Sequence, residues 1–587
     1  MDNPGYAQLH RNPIDDLLAS HRATVETLQC GGRQPFLCLD GEWHAGPDIY
    51  DNGIRASWFL EKGGEFDHRA PCDYEFEKWE TMRLPASWNT TAEAYSLYEG
   101  SFWFFKKIGP VSRKPGERIY LQVGAANYAS MVFVNGHHVA SHEGGYTPFG
   151  ADITDALGEG DNRLLLWVSN ARKRDAVPAD FTDWFNYGGV YRTIGLYRLP
   201  EVRVDSWFLR AGKDGKSIAL SLALNVKKKA SLRITVAGLL EANLQTGPDG
   251  CLEAVFPADY VPWCPENPRL YPVTLEVEGD RLTDEVGFRI LEARGDRLFL
   301  NGEPLFLRGI TAHEESVAHG RALSLEEQKT TLSLAKEMNC NFMRLAHYPH
   351  SGEMSRLADR LGILLWEEIP VYWSLEFHNP ATLANAKNQL LELIKRDLNR
   401  ASVAVWAVGN ENPDSDERFV FMKTLIEAAK AADGTRLVSA ACLLDLKNFR
   451  VDDRLAKEVD VLGINEYFGW YYFGYEKLAA LLAAPFDRPV VVSEFGGEAV
   501  AGLHGPADEL WTEEYQEEIY RNQLDVILAS GTVAGLAPWL LYDFKTPRRL
   551  NDHQRMYNLK GIVDRTMTVR KKAFYLVKER YGQLLEP

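Results

Sequence analysis

From about residue 293 onward the chain repeats one unit, an apolar run of five to eight residues followed by an amphipathic stretch. Continuous rather than alternating apolar runs mark strands covered on both faces, and a parallel sheet with helices packed against it covers them in that way. Eight such runs recur: "LFLRGITAHE", "NFMRLAHYP", "GILLWEEIP", "VAVWAVGNE", "RLVSAA", "VLGINEY", "VVVSEFGG" and "LAPWLLYDF". Eight strands over about 290 residues predict a closed (β/α)8 barrel. Between the first two runs, "SLEEQKTTLSLAKEMN" places Ser324 and Glu327 at capping-box spacing, the start signal of a helix.

The part before the barrel is all β. Residues 36–200 alternate in short runs such as "SFWFFKKI", "RIYLQVG" and "NRLLLWVSN", which predicts a β-sandwich. Asn135-Gly136 between two apolar runs predicts a hairpin, because a type I′ turn needs positive φ at both central residues. Residues 201–290, with "IALSLALNV", "SLRITVAGLL" and "YPVTLEVEGD", have the size and strand spacing of a small immunoglobulin-like sandwich.

Charge and composition remove several function classes. A formal net charge of -17 opposes binding of nucleic acid or acidic membranes through a broad basic face. Nowhere do about 18 apolar residues run uninterrupted, so no membrane span is expected. The N-terminal "MDNPGYAQLHRNPIDDLL" lacks a basic stretch followed by an apolar one. Cysteines at 30, 38, 72, 251, 264, 340 and 442 stand singly, which disfavours a zinc site or a disulfide framework and points to a reducing, cytoplasmic setting. The 15 Trp exceed what packing alone usually recruits, and sugar-binding clefts are one place for the surplus.

In a barrel of this kind the C-terminal ends of the strands form the active-site face, so a polar residue ending an apolar run is aimed at the cleft. Asn410 and Glu411 end the fourth run, and Glu494 ends the seventh. The other runs end in His313 and Glu314, Arg344 and His347, Glu367 and Glu368, Asn465 and Tyr467, and Trp539. Such a ring of carboxylates, imidazoles and aromatics suits cleavage of a glycosidic bond. That reaction needs two carboxyl groups flanking the bond, about 5–5.5 Å apart in retaining enzymes, one donating a proton and one attacking. Glu411 is expected to be the acid/base, with its pKa raised, and Glu494 the nucleophile, with Arg344 and Tyr467 nearby. A single Glu at a strand end is ordinarily a solvated carboxylate or a helix cap; two behind β-rich runs are not easily coincidental.

His313 and His347 would elsewhere be hydrogen-bonded core imidazoles, but at the rim they are candidates for substrate binding. No HExxH or similar spacing appears, so neither a catalytic metal nor another cofactor is expected. Trp470 and Trp539 are read as platforms for a sugar face. Residues 545–572 depart from the acidic average, with nine Lys or Arg against two Asp, a local formal charge of +7. A cation there would pair an anionic substrate, and Asn558 and Lys560 in "YNLKG" are the candidates.

These motifs together resemble the retaining glycoside hydrolases of family 2, and within them the β-glucuronidase group, over nearly the whole chain. "WFNYGGVYR", "WCPENPRLYPV", "VGFRILE", "NFMRLAHYPH", "GNEN", "INEYFGWYY" and "SEFGGEAVAGLHG" carry the likeness. The resemblance implies a jelly-roll, sugar-binding-like domain over 1–200, an immunoglobulin-like sandwich over 201–292 and a catalytic TIM barrel over 293–587. It also implies that Asn558 and Lys560 form the Asn-x-Lys motif that holds the sugar's C6 carboxylate, that Asp183 reaches its hydroxyls, and that the chain is a homo-oligomer. Two features depart from the group: Glu466 stands where many members have Arg, and the basic residues before Asn558 are shifted in register. The stretch between "IPVYWSLEFHNP" and "ANAKNQLLELIKRDL" is shorter than in members with a lid loop, so a more open cleft is expected.

The expected activity is therefore exo-hydrolysis of terminal β-D-glucuronides by double displacement, on small glycosides or oligosaccharide ends. A β-galacturonidase or β-galactosidase of the same build, or a carbohydrate-binding protein without catalysis, are the alternatives.

Overall fold

A computed structural model describes residues 13–25, 31–60, 75–445, 447–472 and 474–585. Cys30, Cys72 and the first 12 residues of the N-terminal stretch lie outside the described residues.

The first sandwich packs a six-stranded sheet against a four-stranded one. Its core includes Phe102, Phe104, Leu121, Val132 and Leu166. In "SFWFFKKI" the alternation expected of a half-exposed strand is lost, because Trp103 and Phe105 on the other face are also buried. Helix Pro13–Ala19, Ile54, Phe76 and Trp79 cover that face. The Asn135-Gly136 hairpin joins Ala129–Val134 to His137–Glu143, with φ of 50° and 82° at the two turn residues, as a type I′ turn requires. The second sandwich pairs a three-stranded sheet, whose first strand is Val204–Ala211, with a four-stranded sheet that ends on Asp280–Val286.

Eight parallel strands then close a barrel. They are β1 (Leu307–Ala312), β2 (Phe342–Leu345), β3 (Leu364–Glu368), β4 (Val403–Asn410), β5 (Leu437–Cys442), β6 (Val461–Asn465), β7 (Val490–Glu494) and β8 (Gly535–Leu536). Around them lie α1 (Leu325–Glu337), α2 (Gly352–Leu361), α3 (Pro380–Asp397), α4 (Asp416–Ala432), α5 (Tyr475–Leu482), α6 (Glu513–Ser530) and α7 (Lys572–Gln583). The capping box at Ser324 and Glu327 forms with both of its reciprocal hydrogen bonds. Asn379 caps α3 ahead of Pro380, and Gly362 ends α2 in the left-handed region that a side chain would strain.

The barrel departs from the regular repeat in two places. The β5–β6 connection holds, among the described residues, two short antiparallel strands, Leu444–Asp445 and Arg450–Val451, and the 3-10 turn Arg454–Lys457 in place of a helix. In the eighth run only Gly535–Leu536 pairs within the barrel; "APWLLYD" continues as irregular chain held by backbone bonds such as Leu541 N to Thr311 O (2.8 Å), and Phe544–Lys545 then pairs with Tyr557–Asn558 outside the barrel. That segment brings Trp539 and Phe544 against His313, with centroids 5.2 and 4.2 Å apart.

Candidate active site

Arg344, at the end of β2 and fully buried, is the hub of the barrel mouth. Its guanidinium donates to both oxygens of Glu368 (3.1 Å each), to Glu494 Oε1 (2.7 Å) and to Asn410 Oδ1 (2.8 Å). Burial works against this charge, but Glu368 and Glu494 outweigh it and hold the guanidinium above its ordinary pKa. The other oxygen of Glu494 accepts from the Tyr467 hydroxyl at 2.7 Å. Burial, and then the Glu494 charge, raise the Tyr467 phenol well above its ordinary value, so it keeps the proton it donates.

Glu411 follows β4 with φ 51°, a left-handed backbone that costs a non-glycine residue about 1–2 kcal/mol. A register shift in β4 between Ala407 and Asn410, and another in β6 beside Asn465, precede these residues. Such irregularities re-aim the side chains that follow them. The Glu411 carboxyl accepts from Trp373 Nε1 (2.9 Å) and Asn465 Nδ2 (3.2 Å). Burial and then the charge of Glu494 push it up to about 7, against the pull of those two hydrogen bonds. The two candidate carboxyls thus share one cleft but not one environment, and only Glu494 has a cation in direct contact.

His313 accepts or donates at Nδ1 with the Tyr348 hydroxyl (2.9 Å), while its buried Nε2 has no partner among the described residues. Burial, and then the nearby His347, lower its pKa well below the ordinary value, so it is neutral. His347 pairs with Glu368 through Nδ1 at 2.8 Å. The buried Nδ2 of Asn410 also lacks a partner among the described residues. Unpaired buried polar atoms are costly unless a polar ligand completes them, and sugar hydroxyls would do so.

Adjacent residues of a strand face opposite sides, and this divides a pair that the sequence placed together on the rim. Glu368 faces the cleft, where Arg344 holds its carboxyl down at about 2 despite burial. Glu367 faces outward toward Arg396 of α3 (3.8 Å), and burial and Asp397 raise its pKa well above normal. Just past the end of β1, His313 faces the cleft, whereas Glu314 turns to Arg192 of the first sandwich at 2.9 Å.

The two tryptophans are not open platforms. Trp539 is 5% exposed and stacks on His347 with centroids 4.8 Å apart. Trp470 is half-buried, edge-on to Trp511 at 5.6 Å, and lies beside the Lys560 ammonium at 5.7 Å. Both line the pocket as walls, because each ring is already engaged by a neighbour.

The basic segment is also less free than its +7 implies, because Arg549, Lys560, Arg570, Lys571 and Lys572 pair with acidic residues elsewhere in the chain. Arg549 meets Asp183 (2.8 Å), Arg570 meets Glu337 (2.7 Å) and Lys571 meets Asp543 (2.8 Å). Lys560 donates to Glu498 Oε1 (3.0 Å) and the Tyr471 hydroxyl (2.8 Å) within a cage completed by the Tyr467 and Trp470 rings. Burial lowers the Lys560 pKa, but Glu498 more than restores it. Asn558, also buried, turns its Oδ1 to the Lys560 backbone N–H at 3.1 Å. Asp183 accepts from Thr546 (2.9 Å) as well as from Arg549, tying the first sandwich to the loop after β8.

Trp373, Tyr471, Glu498 and Arg549 therefore join the site although their residue types gave no individual signal in sequence. Glu498 and Arg549 had an indirect one, lying four residues beyond Glu494 and within the basic segment respectively. Among the described residues no group of three or more His, Cys, Asp or Glu is placed to hold a metal ion.

Comparison with known proteins gives the same layout. Residues 291–585 match the TIM barrel domain of glycosyl hydrolases family 2, and residues 37–200 match the sugar binding domain of that family. A β-glucuronidase of Paenibacillus borealis is 28% identical, over 93% of this chain and 97% of that one. Among solved structures, the β-glucuronidase of an uncultured Clostridium sp. superposes with a TM-score of 0.82 at 26% identity, covering 93% of this chain and 97% of that one. A β-galacturonidase from Eisenbergiella tayi bound to galacturonate shares the fold, with a TM-score of 0.80 at 22% identity over 94% of this chain and 99% of that one.

Proposed function

The chain belongs to the glycosyl hydrolases of family 2, and from that premise we propose that it is a retaining, exo-acting hydrolase of terminal β-D-glucuronides. The observation that carries this reading is the unequal carboxyl pair, with Glu411 pushed up to about 7 beside a Glu494 held by Arg344 and Tyr467. In the first step Glu494 attacks the anomeric carbon, the bond to the leaving oxygen breaks, and Glu411 gives that oxygen its proton. In the second, the Glu411 carboxylate takes a proton from water, whose oxygen attacks the same carbon and frees Glu494. Two displacements restore the β configuration.

Lys560 supports an acidic sugar. An ammonium has three N–H donors; Glu498 and Tyr471 take two, and the third has no partner among the described residues. A C6 carboxylate there would share the cation with Glu498, alongside Asn558. Asp183 and the unpartnered atoms of Asn410 and His313 are available to the ring hydroxyls. The relatives described as β-glucuronidases favour glucuronate over galacturonate.

The test is a comparison of p-nitrophenyl β-D-glucuronide, β-D-galacturonide and β-D-galactoside, with Glu494→Gln as the inactive control. Glucuronide should be cleaved fastest. Lys560→Ala should cost about tenfold or more on either uronide, the worth of a charge-assisted hydrogen bond, and far less on the galactoside. Equal losses on charged and neutral sugars would remove Lys560 from carboxylate binding.

A further inference from the structure

The cleft mouth carries a cluster of two rings and a cation that cleavage of the uronide ring does not use. Phe181 of the first sandwich and Trp373 after β3 have ring centroids 5.4 Å apart. The Arg548 guanidinium lies 4.6 Å from the Phe181 centroid and 4.5 Å from that of Trp373. Phe181 is 57% exposed, and Arg548 is exposed as well. Trp373 fixes where this cluster sits, because its Nε1 donates to Glu411 at 2.9 Å. Glu411 is the group that protonates the leaving oxygen, so exposed surface built outward from Trp373 meets the leaving group and not the uronide ring.

Arg548 differs from its neighbours in charge balance. Arg549, Lys560, Arg570 and Lys571 each have a carboxylate partner. Arg548 has none within ion-pair distance among the described residues, only cation–π contacts with the two rings. Cation–π attraction draws a guanidinium to the rings without spending its N–H donors on a carboxylate, so the fork that matches a carboxylate or sulfate is kept for a ligand. On a chain of net charge -17, whose general field repels anions, one fixed and uncompensated cation at the mouth is a local exception.

The geometry points to a leaving-group subsite made of Phe181, Trp373 and Arg548 that takes an acidic sugar. The anionic group of that sugar, sulfate or carboxylate, meets Arg548, and its ring lies over the exposed aromatic surface. This rests on the uronide reading above: the substrate is then a terminal uronide joined to an acidic sugar, as at the end of an acidic oligosaccharide.

The experiment uses three disaccharides with the same terminal uronide, whose second sugar carries a sulfate, a carboxylate or no charge. The wild type should show a kcat/KM about fivefold higher on one or both acidic disaccharides than on the neutral one, the scale of an exposed ion pair. The acidic arm that shows the preference identifies the group. The preference should shrink as ionic strength rises from about 0.01 M to about 1 M. It should disappear in Arg548→Ala and survive in part in Arg548→Lys, a split that a purely structural role would not produce. Turnover of the neutral disaccharide with no preference for either acidic one, or a preference that Arg548→Ala keeps, overturns the subsite and leaves the uronide reading standing. Cleavage of galactosides but of no uronide overturns both.

Discussion

At the scale of single residues the chemistry depends on how two like side chains are made different. Glu494 accepts from a buried guanidinium and a phenol, whereas Glu411 accepts only from an indole and an amide. With Glu411 pushed up to about 7, its proton is present below that pH and absent above it. The kcat/KM profile should therefore fall on the alkaline side with an apparent pKa near 7. Trp373→Phe removes a hydrogen bond that favours the charged form, so the alkaline limb should move to higher pH. A limb that stays in place would mean another group donates the proton. The same shift has a stability counterpart. The folded pKa lies above the ordinary 4.5, so the contribution of this group is full below 4.5 and is lost as the pH rises through about 7. Both glutamates were legible in sequence because each closes an apolar run. That Glu368 and not Glu367 would face the cleft was not, since strand phase is set by pairing with neighbouring strands.

At the scale of elements, local signals predicted local structure well. The type I′ hairpin and the α1 capping box are dictated by a few adjacent residues, and both form as their residues require. Ser324→Ala should cost about 1 kcal/mol at the start of α1. Amide exchange over residues 325–330 should then quicken about fivefold, while the pH profile of kcat/KM stays as it was. Exchange unchanged in that helix would show that packing alone holds its first turn. The eighth strand was less legible. Its apolar letters predicted a full strand, but only Gly535–Leu536 pair on both sides, and the following Ala537, Trp539 and Leu541 spend their backbone N–H groups on Val492, Phe495 and Thr311. Apolar content marks a segment as buried; it does not decide whether the burial is in the wall or at the rim.

At the scale of the whole molecule, the cleft needs the first sandwich. Asp183 bonds Thr546 and Arg549, Trp184 packs against His347 at 5.7 Å, and Phe185 N donates to Lys545 O at 2.9 Å. Below this seam Glu392 of α3 accepts from Thr147 (2.6 Å) and is paired with His142 (3.1 Å), and Arg192 meets Glu314 at 2.9 Å. Glu314→Ala would leave Arg192 enclosed without its carboxylate, at a cost of about 3 kcal/mol. We expect earlier unfolding in urea and a drop in kcat/KM at denaturant-free conditions beyond any loss of folded protein. Activity that follows the folded fraction alone would mean that the seam only stabilises and does not position. The sequence by itself determined the barrel, the two sandwiches before it and the two rim glutamates, because these follow from periodicities and run ends that are local in the chain. Only the tertiary structure decided which cations are already neutralised, which aromatic faces are already covered and which one of two adjacent carboxylates meets the cleft. Lys560 with Glu498, Arg549 with Asp183 and Arg548 with Trp373 are partners 62, 366 and 175 positions apart, and electrostatic pairing acts through distance in space, which sequence spacing does not encode.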